Sequence, residues 1–268
     1  QVASSHNCEN MIGVTQIPLG IAGPLKLSTI NNQLSILYLP LATTEGVLVA
    51  SVNRGCKAIT ESGGATVDSY RVGATRGAVF KVENLRESDQ LNSILDRELT
   101  MLQKIAKSTS RHLTLTRFMS RGGGRYRFVR FVYDTQDAMG MNMVTVATTA
   151  IAQVIEKRLG IKCISVAGNY DVDKKAAWLN FLEGRGIKVW AEVILTEPVL
   201  KTVLKTSAEH MHEVWLAKCM IGSAMSGSLG YNAQYANVVS SLFLATGQDV
   251  AHVVKGSLGI TTTEVVKR

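Results

Sequence analysis

The chain has 268 residues, 46% of them hydrophobic and 6% aromatic, with a formal net charge of +8 at pH 7. That length buries a sizeable core as one large domain or two unequal ones, and no apolar run approaches the roughly 18 to 20 residues that cross a bilayer. Lys and Arg are dispersed rather than clustered and aromatics for base stacking are few, so the charge points to a multiply phosphorylated small ligand and not to nucleic acid.

The polar start QVASSHNCEN lacks the features of a secretory signal, and any membrane anchor is expected outside these residues. Cys8, Cys56, Cys163 and Cys219 show no CxxC spacing. That argues against a disulfide framework or a zinc site; no metal is expected, and a reducing cytoplasm is the simplest compartment.

In chain order, TEGVLVASVNRGCKAI (44–59) reads as a helix. Within ATTEG (42–46), Thr43 or Thr44 reads as its cap, with Glu45 favoured by the helix dipole. The alternative makes Glu45 an acid beside apolar residues, where desolvation keeps a proton available. AVFKV (78–82) is a short strand, and LNSILDRELTMLQKIAK (91–107) has the apolar stripe of an amphipathic helix. HLTLTRF (112–118), a turn at SRGGGR and RYRFVRFVYD (125–134) make a hairpin. MNMVTVATTAIAQVIEKRL (141–159) is helical and stops at Gly160, after which IKCISVA is a buried strand. Further helices are expected over 198–220 and 233–247.

The order βαββαβ predicts an α+β protein in which 78–167 is a ferredoxin-like unit inserted between 1–77 and 168–268. The two flanks then meet as a larger, helix-rich domain. DAMGMNM (137–143) joins a strand to a helix with Gly140 at the turn, and the free N–H groups and dipole there suit a pyrophosphate. It is not a GxGxxG fingerprint, so no Rossmann fold is indicated. Ser110 and Arg111, at the head of the neighbouring strand, offer a hydroxyl and a guanidinium for a 2′-phosphate.

NYDVDKKAAW (169–178) gathers Asp173, Lys174 and Lys175 on a loop leaving a strand. It reads as a solvated surface or as a reactive loop whose lysine donates to a carbonyl oxygen as negative charge develops. GSAMSGSLGYNAQYAN (222–237) is dense in small residues, as close approach of a backbone or ligand requires, and Asp249 in GQD reads locally as a loop cap.

Taken together and in this order, ENMIG, GPL, ATTEG, NRGCKAI, TRG, TSR, DAMGMNM, GNY, DKK, EGRG, GSAMSGS, ATGQD and GITTTE closely resemble the 3-hydroxy-3-methylglutaryl-coenzyme A reductase family nearly end to end. The resemblance implies an NADPH-dependent reduction of a thioester to mevalonate and free coenzyme A by two hydride transfers, through a thiohemiacetal and an aldehyde. It implies a homodimer with active sites at the subunit interface and ENMIG in the contact, and it assigns NADPH to the inserted unit.

Carried over position by position, Glu45, Lys174 and Asp249 resemble the catalytic acid, the carbonyl-polarising lysine and the aspartate that tunes both. Arg76, Asp173, Lys175, Lys218 and Asn237 resemble contacts to the hydroxymethylglutaryl group or its supporting shell. Asn53 and Arg54 fall near the thioester and coenzyme A, and Ser110, Arg111, Asp137, Met139, Gly140, Met141 and Asn142 match nucleotide contacts. The implied mechanism has a cationic amine, a protonated carboxyl and a buried aspartate converging on one oxygen.

Four positions depart from the family pattern, which usually has serine at Ala167, proline at Ala176, alanine at Trp178 and histidine at Gln234. The first removes a hydrogen bond to substrate, and Trp178 is expected to reshape the loop carrying Lys174. The pattern also continues past Arg268 with a glycine-rich stretch and a histidine that protonates the departing thiolate. His6, His112, His210, His212 and His252 lie in other contexts and receive no such role. The alternative function is therefore an impaired homologue that binds coenzyme A or nucleotide without turnover.

Overall fold

The computed structural model describes residues 8–266, so the first seven residues of the opening segment lie outside the described residues. The fold is a mixed α+β arrangement built on one long strand. Strands β1 (Leu19–Thr29) and β2 (Leu34–Ala42) form a hairpin, followed by helix α1 (Leu48–Glu61) and the 17-residue strand β3 (Ala65–Lys81). Then come α2 (Leu85–Arg97), α3 (Leu99–Thr109), β4 (Thr114–Gly123), β5 (Tyr126–Asp134), α4 (Met141–Leu159) and β6 (Lys162–Ser165). A loop leads to α5 (Trp178–Glu183) and β7 (Gly186–Glu192), and the rest is mainly helical, including α6 (Ala208–Trp215), α7 (Tyr235–Ala245) and α8 (Val253–Gly256).

The first half of β3 pairs in parallel with β1 (Leu27 opposite Ala65) and antiparallel with β7 (Asp68 opposite Trp190). Its second half pairs antiparallel with β5 (Ala78 opposite Val129) and with β6 (Phe80 opposite Cys163). Around that second half the strand order is β6-β3-β5-β4. The expected strand 78–82 is thus the end of a longer one, which runs unbroken across position 77.

The main core lies where α2, α3 and α4 cover one face of these strands. Phe80, Val129, Phe131 and Tyr133 meet Leu91, Leu95, Leu102, Ile151 and Ile155, all buried. Alternation along β5 sends Arg130 and Val132 to the opposite face, which the segment 168–184 covers. There Thr75 Oγ1 donates to the carbonyl of Asp171 at 2.9 Å, Arg130 Nη2 to that of Gly184 at 2.8 Å, and the N–H of Gly168 to that of Gly77 at 2.6 Å.

Several expectations need correction. The stripe over 91–107 is split by Glu98, whose φ of −117° and ψ of 27° break the helical path, so two helices wrap the sheet. The helix after ATTEG begins only at Leu48, behind Val47 in a left-handed conformation, and neither Thr43 nor Thr44 caps it. Instead Thr43 Oγ1 accepts the N–H of Glu45 at 3.0 Å. The expected helix 198–220 is interrupted at Lys205, whose left-handed conformation (φ 58°) ends a π-helical segment, and restarts with Ser207 capping α6, which runs on into a second π-helical segment. The strand from IKCISVA is only partly buried. Among the described residues no helix is long and apolar enough to cross a membrane.

Gly77 sits where segment 168–184 crosses β3, and a Cβ there would lie 2.5 Å from the backbone nitrogen of Asp171. Gly77→Ala is expected to destabilise the fold by about 1 to 3 kcal/mol in urea unfolding. Gly123→Ala, where the nearest atom would be 3.8 Å away, should cost under about 1 kcal/mol. Equal stability of the two variants would contradict the close crossing.

Candidate active site

Between β6 and α5 the chain is held in a conformation few residues adopt. Asn169, Val172 and Lys174 all have positive φ, at 63°, 49° and 54°. A β-branched residue at such an angle is strained and persists only where surrounding contacts fix it. Asn180 supplies them from α5, donating to the carbonyls of Val172 at 2.9 Å and Lys175 at 3.1 Å.

This conformation turns Lys174 towards the other end of the chain, where its Nζ lies 2.6 Å from Asp249 Oδ2. The hydrogen bond from Lys174 holds the Asp249 carboxyl below its ordinary range, so the carboxylate is charged at neutral pH. Asp249 is not the buried aspartate that the sequence implied: each side chain of the pair is 41% exposed. A pair this open adds little to stability, which leaves its placement to be explained by chemistry.

The buried aspartate is Asp171, and Asp173, two residues on and partly buried, gathers the cations. Asp173 Oδ1 receives Arg185 Nη1 at 2.8 Å and Lys255 Nζ at 3.2 Å, with His252 Nδ1 at 3.6 Å. The Arg185 side chain is only 4% exposed, and it also donates through Nε to Thr75 Oγ1 at 2.8 Å and through Nη2 to the Met141 sulfur at 2.9 Å. Burial disfavours its charge, and Asp173, then Asp171, restore it. Arg76 joins the same cluster through Asp171 Oδ2 at 3.4 Å.

Glu45 stands apart from this pair. Its Oε2 accepts from Asn237 Nδ2 at 2.7 Å, and among the described residues it forms no ion pair with Lys174, whose amine goes to Asp249. Asn237 is on α7, the helix that leads into the GQD turn, so one helix connects the carboxyl's partner to Asp249. Two of the three expected groups therefore touch and the third is tied to their support. The strict convergence of all three on one oxygen is not what this chain alone forms.

The proposed nucleotide contacts gather at the β5–α4 turn. Gly140 precedes α4 at φ 74° with no side-chain cap, so the first N–H groups of a 19-residue helix remain free for a ligand. A Cβ on Gly140 would lie 2.5 Å from Thr135 Cγ2, which requires glycine. Ser110 Oγ reaches the Met143 sulfur at 3.4 Å, and Arg111 Nε contacts His112 Nε2 at 2.9 Å. His112 in turn meets Gln136, whose carbonyl accepts from Arg71, and Arg71 also lies 3.6 Å from Asp137. Asp137 and Met139 are exposed, and Met141 and Asn142 open the helix. Both regions border one cavity of about 1130 Å³ lined by Asp137, Met139, Arg185, Asp249 and His252.

The remaining assignments are scattered. Asn53 Oδ1 accepts the N–H of Gly23 at 2.9 Å, a structural tie between α1 and β1. Arg54 and Lys218 are exposed on helical segments, and Lys175 Nζ reaches only the carbonyl of Asp173, at 3.4 Å. Trp178 opens α5 against Phe181, with ring centroids 5.8 Å apart, and is exposed. Ala167 and Gln234 are exposed. Sequence reasoning gave no role to Arg185, Thr75, Arg71, His252 or Lys255. A signal existed for two of them: His252 and Lys255 follow Asp249 at a three-residue spacing, which puts them on one helical face.

Removing one partner of a buried ion pair leaves an uncompensated charge. Arg185→Met is therefore expected to lower unfolding stability by about 3 kcal/mol, read by urea denaturation. A loss under about 0.5 kcal/mol would contradict the central position given to this guanidinium.

A sequence profile described as hydroxymethylglutaryl-coenzyme A reductase matches residues 1–268. The chain is 46% identical over 263 residues to the 3-hydroxy-3-methylglutaryl-coenzyme A reductase of Methanothermobacter thermautotrophicus, covering 98% of this chain and 66% of that protein. It is 47% identical over 273 residues to the reductase of the same name from Methanocaldococcus jannaschii, covering 99% of this chain and 67% of that protein. The chain thus spans only part of the length of these relatives. Its fold is similar to a class II 3-hydroxy-3-methylglutaryl-CoA reductase from Streptococcus pneumoniae solved bound to NADPH in open conformations, with a TM-score of 0.69 at 19% identity, covering 95% of this chain and 66% of that one. On the match along its whole length and these identities, the chain belongs to the hydroxymethylglutaryl-coenzyme A reductase family.

Proposed function

We propose that the chain carries the catalytic groups for NADPH-dependent reduction of hydroxymethylglutaryl-coenzyme A to mevalonate and free coenzyme A. The observation that carries this reading is the Lys174–Asp249 pair, whose aspartate lines a cavity that also reaches Asp137–Met139, the turn leading into α4. NADPH, when bound, supplies the hydride. Lys174 is the donor that stabilises negative charge on the substrate oxygen, and Asp249 keeps that amine aimed. Glu45, oriented by Asn237, provides the proton that reduction of the aldehyde consumes. Arg76 and Lys175 suit the free carboxylate of the substrate. Asp173 and Lys218 are placed in its supporting shell, and Asn53 and Arg54 towards the coenzyme A side.

The nucleotide reading rests on 78–167 as a ferredoxin-like unit inserted between 1–77 and 168–268, supported by the strand order β6-β3-β5-β4 with helices on one face. Gly140 and the first N–H groups of α4 would receive the pyrophosphate, with Asp137, Met139, Met141 and Asn142 around it. Ser110 and Arg111 would hold the 2′-phosphate, the exposed guanidinium being free to form two parallel hydrogen bonds. A homodimer is supported by exposed apolar side chains that need a cover: Ile12 within ENMIG, Val14 just after it, and Ile21, Ile36 and Tyr38 on the β1–β2 hairpin. Work in the cytoplasm fits the same reading.

With NADPH and hydroxymethylglutaryl-coenzyme A, Lys174→Ala is expected to slow hydride transfer by about 10² to 10³-fold with KM little changed. Arg111→Ala should raise the KM for NADPH at least tenfold while leaving that for NADH nearly unchanged. Ligand binding without NADPH oxidation by the unmodified protein would contradict the reaction. Full activity in Lys174→Ala would remove the role given to the lysine.

A further inference from the structure

Between the Lys174–Asp249 pair and the Asp173 cluster lies a histidine that the mechanism above does not use. His252 is 8% exposed, in the short 3-10 turn that follows Asp249. The turn is fixed from both sides: Asp249 Oδ1 accepts the N–H of Ala251 at 3.0 Å, and the Asp249 carbonyl accepts the N–H of His252 at 3.1 Å. The ring is thereby set between two carboxylates, with Nδ1 3.6 Å from Asp173 Oδ1 and Nε2 3.7 Å from Asp249 Oδ2. Nε2 is buried and has no hydrogen-bond partner among the described residues.

We infer that His252 is a positioning residue for the reduction proposed above, tying the carboxylate that aims Lys174 to the Asp173–Arg185 cluster. A neutral imidazole has one N–H and serves one carboxylate at a time; a protonated ring donates to both. The groups facing it are Asp173 and Asp249 on one side of the balance and Arg185, Lys174 and, through Asp173, Lys255 on the other. Burial is the largest effect and holds the ring below the ordinary histidine range, so it is neutral at pH 7. In that state the Asp249 carboxylate belongs to Lys174. On acidification the ring becomes a second cation for Asp249 and competes with the lysine. The folded ring binds its proton later than the unfolded one, so stability contributed by the neutral ring is lost as pH falls from the ordinary value of about 6.5 towards the lowered one.

The test has two arms on the full chain. In the first, hydride transfer is followed against pH. His252→Ala is expected to lower kcat several-fold at pH 7 with KM little changed, His252→Gln to recover at least half of that loss, and both to lose the acid limb of the wild-type profile. A wild-type pH profile in both variants, or no recovery by glutamine in a protein that melts at the wild-type temperature, would overturn the inference. In the second, the His252 ring is titrated by NMR, its resonance identified by its absence in His252→Gln. Asp249→Asn and Asp173→Asn should each shift the midpoint downward, because each removes a neighbouring anion. Unchanged midpoints in both would overturn the inference. This arm does not depend on turnover: a coupled ring in a protein that oxidises no NADPH would refute the reductase reading alone.

Discussion

The guanidinium of Arg185 is nearly sealed from water and touches three parts of the chain at once: Asp173 on the strained loop, Thr75 on β3, and Met141 at the start of α4. Burying such a cation is costly unless every direction is answered. The chain answers it with a carboxylate, a hydroxyl and a polarisable sulfur, so these groups must keep their relative positions or strand a charge. The loop carrying Lys174 is thereby set against the helix start proposed to receive the nucleotide. The alignment of the two halves of the cavity follows from that one side chain.

Strand β3 makes the arrangement possible. Seventeen residues of continuous backbone join the β1–β7 region to the β5–β6 region, and Thr75, Arg76 and Gly77 lie at the changeover. At this point the face away from α2, α3 and α4 must admit another backbone, and glycine permits the segment beside Asp171 to cross. The strain at Val172 and Lys174 is sustained by the contacts of Asn180 and by the pull of Asp249 on the lysine. Rigid strand, close crossing and strained loop form one mechanical unit, and the reactive amine is its tip.

Local periodicity made much of this legible. The apolar stripe of 141–159, the alternation of 125–134 and the stop at Gly160 each depend on neighbours in sequence, and the elements fell within a few residues of expectation. The break at Glu98 was hidden because both helices bury the same stripe, so the pattern continued while the backbone did not. Lys174 and Asp249 were named through a family resemblance, and no local pattern links positions 75 residues apart. Arg185 was invisible for the same reason: a lone arginine after a glycine reads as solvated, and only the fold shows three distant partners closing over it. The Glu45–Asn237 contact likewise joins segments that sequence spacing cannot relate.

The electrostatic account makes Lys174 and Asp249 one functional unit, with Asp249 acting only through the amine it holds. A double-mutant cycle on hydride transfer, using Lys174→Ala, Asp249→Asn and the combination, tests this most directly. The account predicts strong coupling: once the lysine is gone, loss of the aspartate costs almost nothing more, giving an interaction energy of about 2 kcal/mol or above. Independent effects, with the double variant slowed by the product of the two single losses, would contradict it.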